Sequence, residues 1–549
     1  MSSPDREEAL TRLTAHPVDV LVVGGGITGC GVALDAATRG YRVGLIDRDD
    51  LGTGTSSKSS KLVHGGMRYL ATGDVAMVAE GVAERERLRR LAPHLVRPLG
   101  FVIPVDTRRD AAMLRAGLVV YDAVATGRRR RRHRRLDLHE VLADAPGLVR
   151  GAAQGGFRYD DAQTDDARLT LQVAQVARDH GALVAPHVGA VGVLRRGDRV
   201  VGVTVRDGLT GAEHEIGARW VVLATGVWAD HLGALVPEEL GIRLRPAKGV
   251  HLVFERRDLP VNRAVVIQSV GDDRRWLFLI PWGQQVYVGT TDTPVDESPD
   301  HPTVTAEDAE YLLAAVNHAF GTDLRPMDAI GAWAGYRPLV AGTTDLADLS
   351  RRHAVLTPVP GLVMVTGGKL TTYRRMAADT VDRIVAGDGL RRRSRTRRVA
   401  LGATGAPLEG LARTRSALVT VAGDPTAAGA LYHRHGDRAR EVARFAADSG
   451  ELDPLLPGLP YLTGEVRWAA RHELARTLDD VLSRRLRVAI RDREAGGAAI
   501  GQAARILAEE LGWDDAERAR QIRTYVTGVA RERGAVPLPG SDLEVDDPG

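Results

Sequence analysis

Lysine is nearly missing: of 74 basic side chains only Lys58, Lys61, Lys248 and Lys369 are lysine. Such a skew toward arginine is that of a GC-rich genome. It makes the surviving lysines informative, because an ammonium is a compact donor with a tunable pKa that guanidinium does not replace. Cysteine is scarcer still: Cys30 stands alone, which excludes an intrachain disulfide and fits a reducing, cytoplasmic compartment. No run of about 18 apolar residues occurs, so no segment reads as a bilayer span, and peripheral attachment to a membrane stays open. The opening MSSPDREEALTRL is polar and acidic, unlike a secretory signal or transit peptide. No Cys/His group has metal-ligand spacing, so no metal is expected, and no internal repeat is found. A formal charge of +3 creates no global field favouring nucleic acid.

What is present is an ordinary globular composition, 44% hydrophobic and 26% charged over 549 residues, with glycine raised to 61. At roughly 100–200 residues per domain this length suggests about three units. Val18–Val23 reads as a buried strand, Cys30–Thr38 as a helix and Arg42–Ile46 as a second strand, together one crossover unit of about 30 residues. Gly52–Ser60 reads as a Gly/Ser/Thr-rich loop and Glu80–Leu91 as an exposed helix. Val200–Val205, Trp220–Ala224, Gly249–Phe254 and Trp276–Ile280 read as strands. The blocks of strand and helix suit an α/β sheet carrying an inserted antiparallel domain. Beyond Arg391–Arg398 the pattern becomes helical, so that arginine-rich stretch reads as a linker. We expect an oxidoreductase region over 16–390, a helical domain over 398–530 and a disordered tail over 537–549.

Gly24, Gly26 and Gly29 form G-x-G-x-x-G between the first strand and its helix, with Asp47 about twenty residues on. The first glycine permits the tight turn, the second lets a pyrophosphate approach the backbone, and the third lets the helix pack closely. Asp47 is placed to accept from a ribose hydroxyl. Cys30, beside the third glycine, reads as a small buried residue rather than a nucleophile. The glycines do not separate NAD from FAD; a second apolar strand ending Ala224-Thr225-Gly226 before Trp228 favours the flavin.

Thr55–Leu70, TSSKSSKLVHGGMRYL, resembles the signature of FAD-dependent glycerol-3-phosphate dehydrogenases. Further matches are DDARLTL (Asp165–Leu171), RPAKGVHLVF (Arg245–Phe254), GTTDT (Gly289–Thr293), GYRPL (Gly335–Leu339), SRRHAV (Ser350–Val355) and GGKLTTYRRMA (Gly367–Ala377). LYHRHG (Leu431–Gly436) and EVRWAARHELARTLDDVLSRR (Glu465–Arg485) extend it, so it spans Val18 to Tyr525. Arg352 departs from the Asp or Asn usual there. The resemblance implies a Rossmann-type, two-dinucleotide-binding (glutathione-reductase-like) α/β fold with an antiparallel substrate domain and an all-α C-terminal domain. It implies FAD held by Gly24, Gly26, Thr28, Gly29 and Asp47, and by Thr55, Ser56, Ser57, Ser60, Lys61, Leu62, His64 and Gly65. Ala224, Thr225, Gly226, Trp228, Gly368, Lys369, Leu370 and Thr371 complete that set.

For the substrate, glycerol 3-phosphate, it implies Arg68, Tyr69, Arg337, Arg351 and Lys369. Guanidinium offers phosphate a planar fork of donors. His64, with an ordinary pKa of about 6.5, suits general-base work, with His353 as a rival and Lys369 as either base or phosphate ligand. His64, Lys369 and Arg337 are therefore the candidate catalytic set. Gly367-Gly368 allows close backbone approach to a ligand, with a helix beginning in Leu-Thr-Thr-Tyr. The resemblance implies electrons passing to a quinone, with peripheral contact at the inner membrane face and a homodimer left open. An oxidase forming hydrogen peroxide is the nearest alternative, an FAD-dependent amine oxidase the next, and a non-catalytic nucleic-acid- or membrane-binding module the last. Arg128–Arg135 reads as a solvated loop or a lipid-headgroup contact, and His433 and His435 as surface or interface residues.

Overall fold

The computed structural model describes residues 5–67, 73–124, 133–149, 151, 153–229, 244–271, 275–295, 299–339, 353–403, 419 and 425–539. Val18–Val23 lies inside an eight-stranded sheet, parallel to Glu213–Leu223 on one side and Val43–Ile46 on the other. Leu362–Gly367 and Leu183–Ala185 continue the parallel order outward, and His353–Leu356 closes one edge antiparallel. Only Asp19 in the first strand escapes full burial. A parallel strand covered on both faces reads as a nearly unbroken apolar run, as this one does.

The helix Ile27–Thr38 packs over that sheet with Asp166–Asp179 and Tyr373–Gly387. Eleven of its residues are buried. Small residues make the approach feasible: a Cβ on Gly31 would lie 2.8 Å from the Tyr373 ring. Burial pushes the Cys30 thiol well above its ordinary range, so it is an inert packing group, as expected.

The second sheet has ten strands, in the order Thr293–Pro294, Ala247–Glu255, Gln285–Gly289, Trp276–Trp282, Ala264–Gln268, Arg97–Val105, Gly155–Gln163 and Leu62–Val63. Gly331–Arg337 and Arg134–Asp137 pair onto this path. All its pairings are antiparallel except that of Ala264–Gln268 with Arg97–Val105. Helix Ala306–Phe320 covers one face and buries Leu312, Leu313 and Val316 there. The substrate domain expected from the sequence is this sheet.

From Pro425 to Arg533 the regular elements of the described residues are all helices, joined by irregular segments with one isolated bridge, Pro454 to Leu462. Buried polar contacts dock it on the rest. Arg484 and Arg485 both reach Asp50. Arg168 joins Glu473 at 2.8 Å, and His435 lies between Glu465 and Glu473. His435 Nδ1 also lies 3.0 Å from Arg168 Nη2, which makes it an interface residue. Removing one partner of such a buried pair typically costs about 3–5 kcal/mol, because the other charge stays buried.

Several expectations need correction. The helix around Glu80–Leu91, which runs Val75–Leu91, is not exposed throughout: Glu84 and Arg85 are buried, paired with Arg374 and Asp161. Its dense charges are internal ion pairs, which residue type alone does not distinguish from a wet face. Of Arg128–Arg135, residues 128–132 lie outside the described residues. Arg134 and Arg135 belong to a strand rather than a loop, and their side chains are exposed. In the arginine-rich linker, Arg392 stacks on Tyr41, and Thr396 and Ser394 bond Asp35, so it packs against the first crossover unit. Leu538 is buried in the helical core, whereas residues 540–549 lie outside the described set.

Candidate active site

One cavity of about 530 Å³ runs between the two sheets. Its walls come from chain segments hundreds of residues apart: the glycine turn, the Ser-rich loop, Ala224–Trp228, Gly249 and His251, Thr290, Gly335–Leu339 and Val365–Thr371.

At one end the glycines do steric work. Gly24 has φ +109°, and a Cβ there would stand 2.5 Å from the Ala224 carbonyl oxygen. A Cβ on Gly29 would be 1.8 Å from the carbonyl oxygen of Gly24. Gly29 lies behind the wall rather than in it, and its part is to let the helix close. Ser56 Oγ accepts from the Ile27 amide at 2.9 Å, filling one of the unpaired donors at that helix start. Asp47 Oδ2 accepts from the Gly25 amide at 2.5 Å and Oδ1 from the Asp49 amide at 2.9 Å. Burial pushes the Asp47 carboxyl up to about 7, with the Asp49 and Asp50 carboxylates adding to it and the two amides opposing. An open glycine cradle ahead of a helix, with an acid at its rim, is the geometry an FAD pyrophosphate and ribose require.

A pH dependence follows. If Asp47 holds the ribose, hydroxyls that donate to its carboxylate make FAD select the deprotonated form. Below about pH 7, FAD affinity is expected to weaken by up to about tenfold per pH unit, flattening above it. In the cofactor-free protein the raised pKa favours the fold below the ordinary carboxylate pKa of about 4. That contribution is lost as pH rises through about 7. FAD titrations between pH 5.5 and 8.5, about the range that brackets this carboxyl, check it; a flat dissociation constant would exclude Asp47 from the ribose site.

At the other end lie the candidate chemical groups. Arg337 ends the strand Gly331–Arg337 and turns back across the sheet. It donates to Asp292 Oδ1 at 2.9 Å, Thr290 Oγ1 at 2.8 Å and the Thr291 carbonyl at 3.0 Å. A Cβ on Gly249 would be 2.3 Å from its Nη2, so a glycine is what lets the guanidinium lie flat. Lys369 lines the cavity just after the positive-φ pair Gly367 and Gly368, its Nζ 3.1 Å from Met77 Sδ. His64 lines the same cavity, its backbone amide donating to Thr371 Oγ1 at 3.1 Å.

Of the other sequence-derived candidates, Thr28, Thr55, Ser60, Leu62, Ala224, Thr225, Gly226, Trp228, Gly368, Leu370 and Thr371 line the cavity. Ser57, Lys61 and Gly65 do not. Lys61 is buried and turns away from the wall to Asp166 at 3.1 Å and the Ser57 carbonyl at 3.1 Å. Its ammonium neutralises a buried carboxylate. His353, the rival base, is bound to Asp379 at 3.0 Å and does not line the cavity. Arg68, Tyr69 and Arg351 lie outside the described residues.

Sequence reasoning assigned no role to several wall residues, chiefly His251, Thr290 (which accepts from Arg337), Lys58 and the aromatic group Phe101, Tyr159, Trp276 and Phe278. His251 stacks on Trp333 at 4.6 Å and shares a 2.9 Å hydrogen bond with Ser60 Oγ. Burial first, and Lys61 and Arg337 next, hold its pKa well below the ordinary histidine value. Its signal was the motif that surrounds it, which carried no statement of role.

Comparison with known proteins agrees with this geometry. Residues 19–374 match the family model for FAD-dependent oxidoreductases, and residues 394–518 that for the C-terminal domain of alpha-glycerophosphate oxidase. A glycerol-3-phosphate dehydrogenase of Mycobacterium leprae is 40% identical over 544 residues, covering 96% of this chain and 90% of its own. The human mitochondrial glycerol-3-phosphate dehydrogenase is 34% identical, covering 95% and 74% respectively. The crystal structure of the Bacillus halodurans glycerol-3-phosphate dehydrogenase complexed with FAD superposes with TM-score 0.82 at 28% identity, covering 98% of this chain and 99% of that one. Cradle, cavity and relatives together place the chain in the family of FAD-dependent glycerol-3-phosphate dehydrogenases.

Proposed function

We propose that the chain oxidises sn-glycerol 3-phosphate to dihydroxyacetone phosphate and passes the electrons to a membrane quinone. The observation that supports this most is that Arg337, Lys369 and His64, from three distant stretches, line the same cavity as the dinucleotide cradle. FAD, when bound, supplies the hydride acceptor at N5. The chain's own groups do the rest. The ammonium of Lys369 and the guanidinium of Arg337, with Arg68, Tyr69 and Arg351, hold the phosphate dianion and orient the carbinol. Their positive charge also favours departure of the hydroxyl proton, which the His64 imidazole accepts. His251 is the poorer acceptor, because its depressed pKa makes it a weak base.

A quinone acceptor requires reach to a bilayer. No helix among the described residues is long and apolar enough to cross one. Helix Arg108–Val124 instead exposes Met113 (71%), Val119 (52%) and Val120 (42%) beside Arg109 and Arg115. An apolar stripe flanked by arginine suits an anionic membrane face. Met113→Asp with Val120→Asp is expected to lower sedimentation with phosphatidylglycerol vesicles severalfold while activity toward a water-soluble dye acceptor persists.

The deciding test of the reaction is anaerobic. Addition of sn-glycerol 3-phosphate should bleach the flavin absorbance, and glycine should not. Bleaching by glycine alone would replace this reading with an amine oxidase. Stoichiometric peroxide in air would replace quinone with oxygen.

A further inference from the structure

The Ser-rich loop is held in part from outside its own domain. Thr55, Ser56, Ser59 and Ser60 line the cavity, and a second set of contacts holds the loop from behind that wall. Asp166, fully buried, accepts from the Ser59 amide at 3.0 Å, Ser59 Oγ at 2.7 Å and Lys61 Nζ at 3.1 Å. Arg487, from the helical C-terminal domain, completes the set through a single nitrogen. Its Nη2 donates to Asp166 Oδ1 at 2.9 Å and to the Ser57 carbonyl at 2.8 Å. Both residues at the centre of this arrangement have left-handed backbone, Lys61 at φ 53° and Arg487 at φ 60°. A side-chain-bearing residue holds that conformation only when its surroundings impose it.

Two further contacts from the same domain flank the loop. Lys58, which lines the cavity, pairs with Glu532 at 2.9 Å. Arg484 and Arg485 reach Asp50, three positions after Asp47. The C-terminal domain therefore touches the cofactor-facing segment at residues 50, 57 and 58, and reaches 59–61 through Asp166, without entering the cavity wall through Arg487 itself.

We propose that Arg487 is a positioning residue through which the C-terminal domain clamps the Ser-rich loop in its FAD-retaining conformation. The physical case is one of charge. Asp166 is wholly buried and is balanced by two cations, Lys61 and Arg487. Taking Arg487 away leaves the Ser57 carbonyl with one donor fewer and the carboxylate with half its countercharge. The loop then gains access to conformations that no longer present Ser59 and Ser60 to the cavity. The energy for ordering it must come from FAD binding, so retention weakens. This rests on the FAD reading above.

The test uses the full-length holoprotein. In Arg487→Met the FAD dissociation constant, measured by flavin fluorescence on dilution, is expected to rise at least tenfold, with Arg487→Lys between it and the parent. At saturating FAD the KM for glycerol 3-phosphate stays within twofold. A lysine-specific protease supplies a second readout, since the chain has only four lysines. Cofactor-free Arg487→Met is expected to be cut at Lys58 and Lys61 many times faster than the parent, with Lys248 and Lys369 as internal controls. Unchanged FAD affinity, or uniform acceleration at all four lysines, would overturn the proposal. If Arg487→Met does not fold, Glu532→Gln decides: faster FAD release with preserved melting temperature supports the clamp, and unchanged release overturns it. A parent protein that binds no FAD would instead sink the cofactor reading itself.

Discussion

Arg337→Ala should lower kcat/KM for glycerol 3-phosphate by roughly two to three orders of magnitude, mostly through KM, while flavin content stays near that of the parent. Two effects combine. A charge-assisted fork to the substrate is lost, and truncating one partner of a desolvated charge contact costs about 2–5 kcal/mol. In addition, Asp292, which holds the guanidinium at 2.9 Å, is left without that counterion in the site. A carboxylate relieved of that countercharge weakens the attraction of the site for a phosphate dianion. Arg337→Lys should fall between, since an ammonium restores charge without the planar fork. Flavin retention is expected because the contacts of Arg337 run to Thr290, Thr291 and Asp292 rather than to the glycine cradle. Steady-state kinetics with the flavin-to-protein ratio measured on the same samples checks both halves. Loss of flavin together with an unaltered KM would transfer Arg337 from the substrate to the cofactor.

The role of Asp292 shows where reading a sequence stops. The GTTDT segment was visible as a motif, but nothing in it says that its acid aligns an arginine 45 positions later. That relation exists only because Ala247–Glu255 pairs with Gly331–Arg337 on one side and Gln285–Gly289 on the other. The crossover unit was legible for the opposite reason. Its strand, turn, helix and acid lie within thirty residues, and each has a local physical signature. Lys61 marks an intermediate case. Its placement in a flavin-associated motif and its rarity both pointed to ligand contact, whereas its partner Asp166, 105 residues away, makes it a buried counterion. Residue type and motif membership agree equally well with either place, and only the fold separates them. The internal ion pairs of Glu84 and Arg85 escaped for the same reason, with partners at Arg374 and Asp161.

Gly29→Ala should yield a protein largely without FAD and markedly less stable. Its new Cβ would stand 1.8 Å from the Gly24 carbonyl oxygen, and 3.0 Å from the carbonyl carbon. Neither atom can swing aside as a flexible side chain would, because Gly24 is itself pinned. Its amide donates to the Ile46 carbonyl at 2.8 Å, and its own Cβ position is closed by Ala224. The helix must therefore lift from the strand, opening a packed interface that includes Cys30, Val32 and Val22. Overpacking of this kind costs about 1–3 kcal/mol, and more where backbone must move. Lifting also withdraws the first-turn amides from the position in which they face a pyrophosphate. Gly26→Ala supplies the contrast: its Cβ would meet only Ser56 Oγ, at 3.1 Å. Stability should then hold while FAD affinity falls, because the obstruction lies on the cavity side. Cys30→Ala, which removes a buried thiol and its 3.3 Å contact with the Gly25 carbonyl, should leave FAD content intact. Flavin-to-protein ratio and thermal unfolding of the three variants separate the cases. Full flavin occupancy in Gly29→Ala, at an unchanged melting temperature, would mean that the close approach of helix to strand is not what forms the cradle.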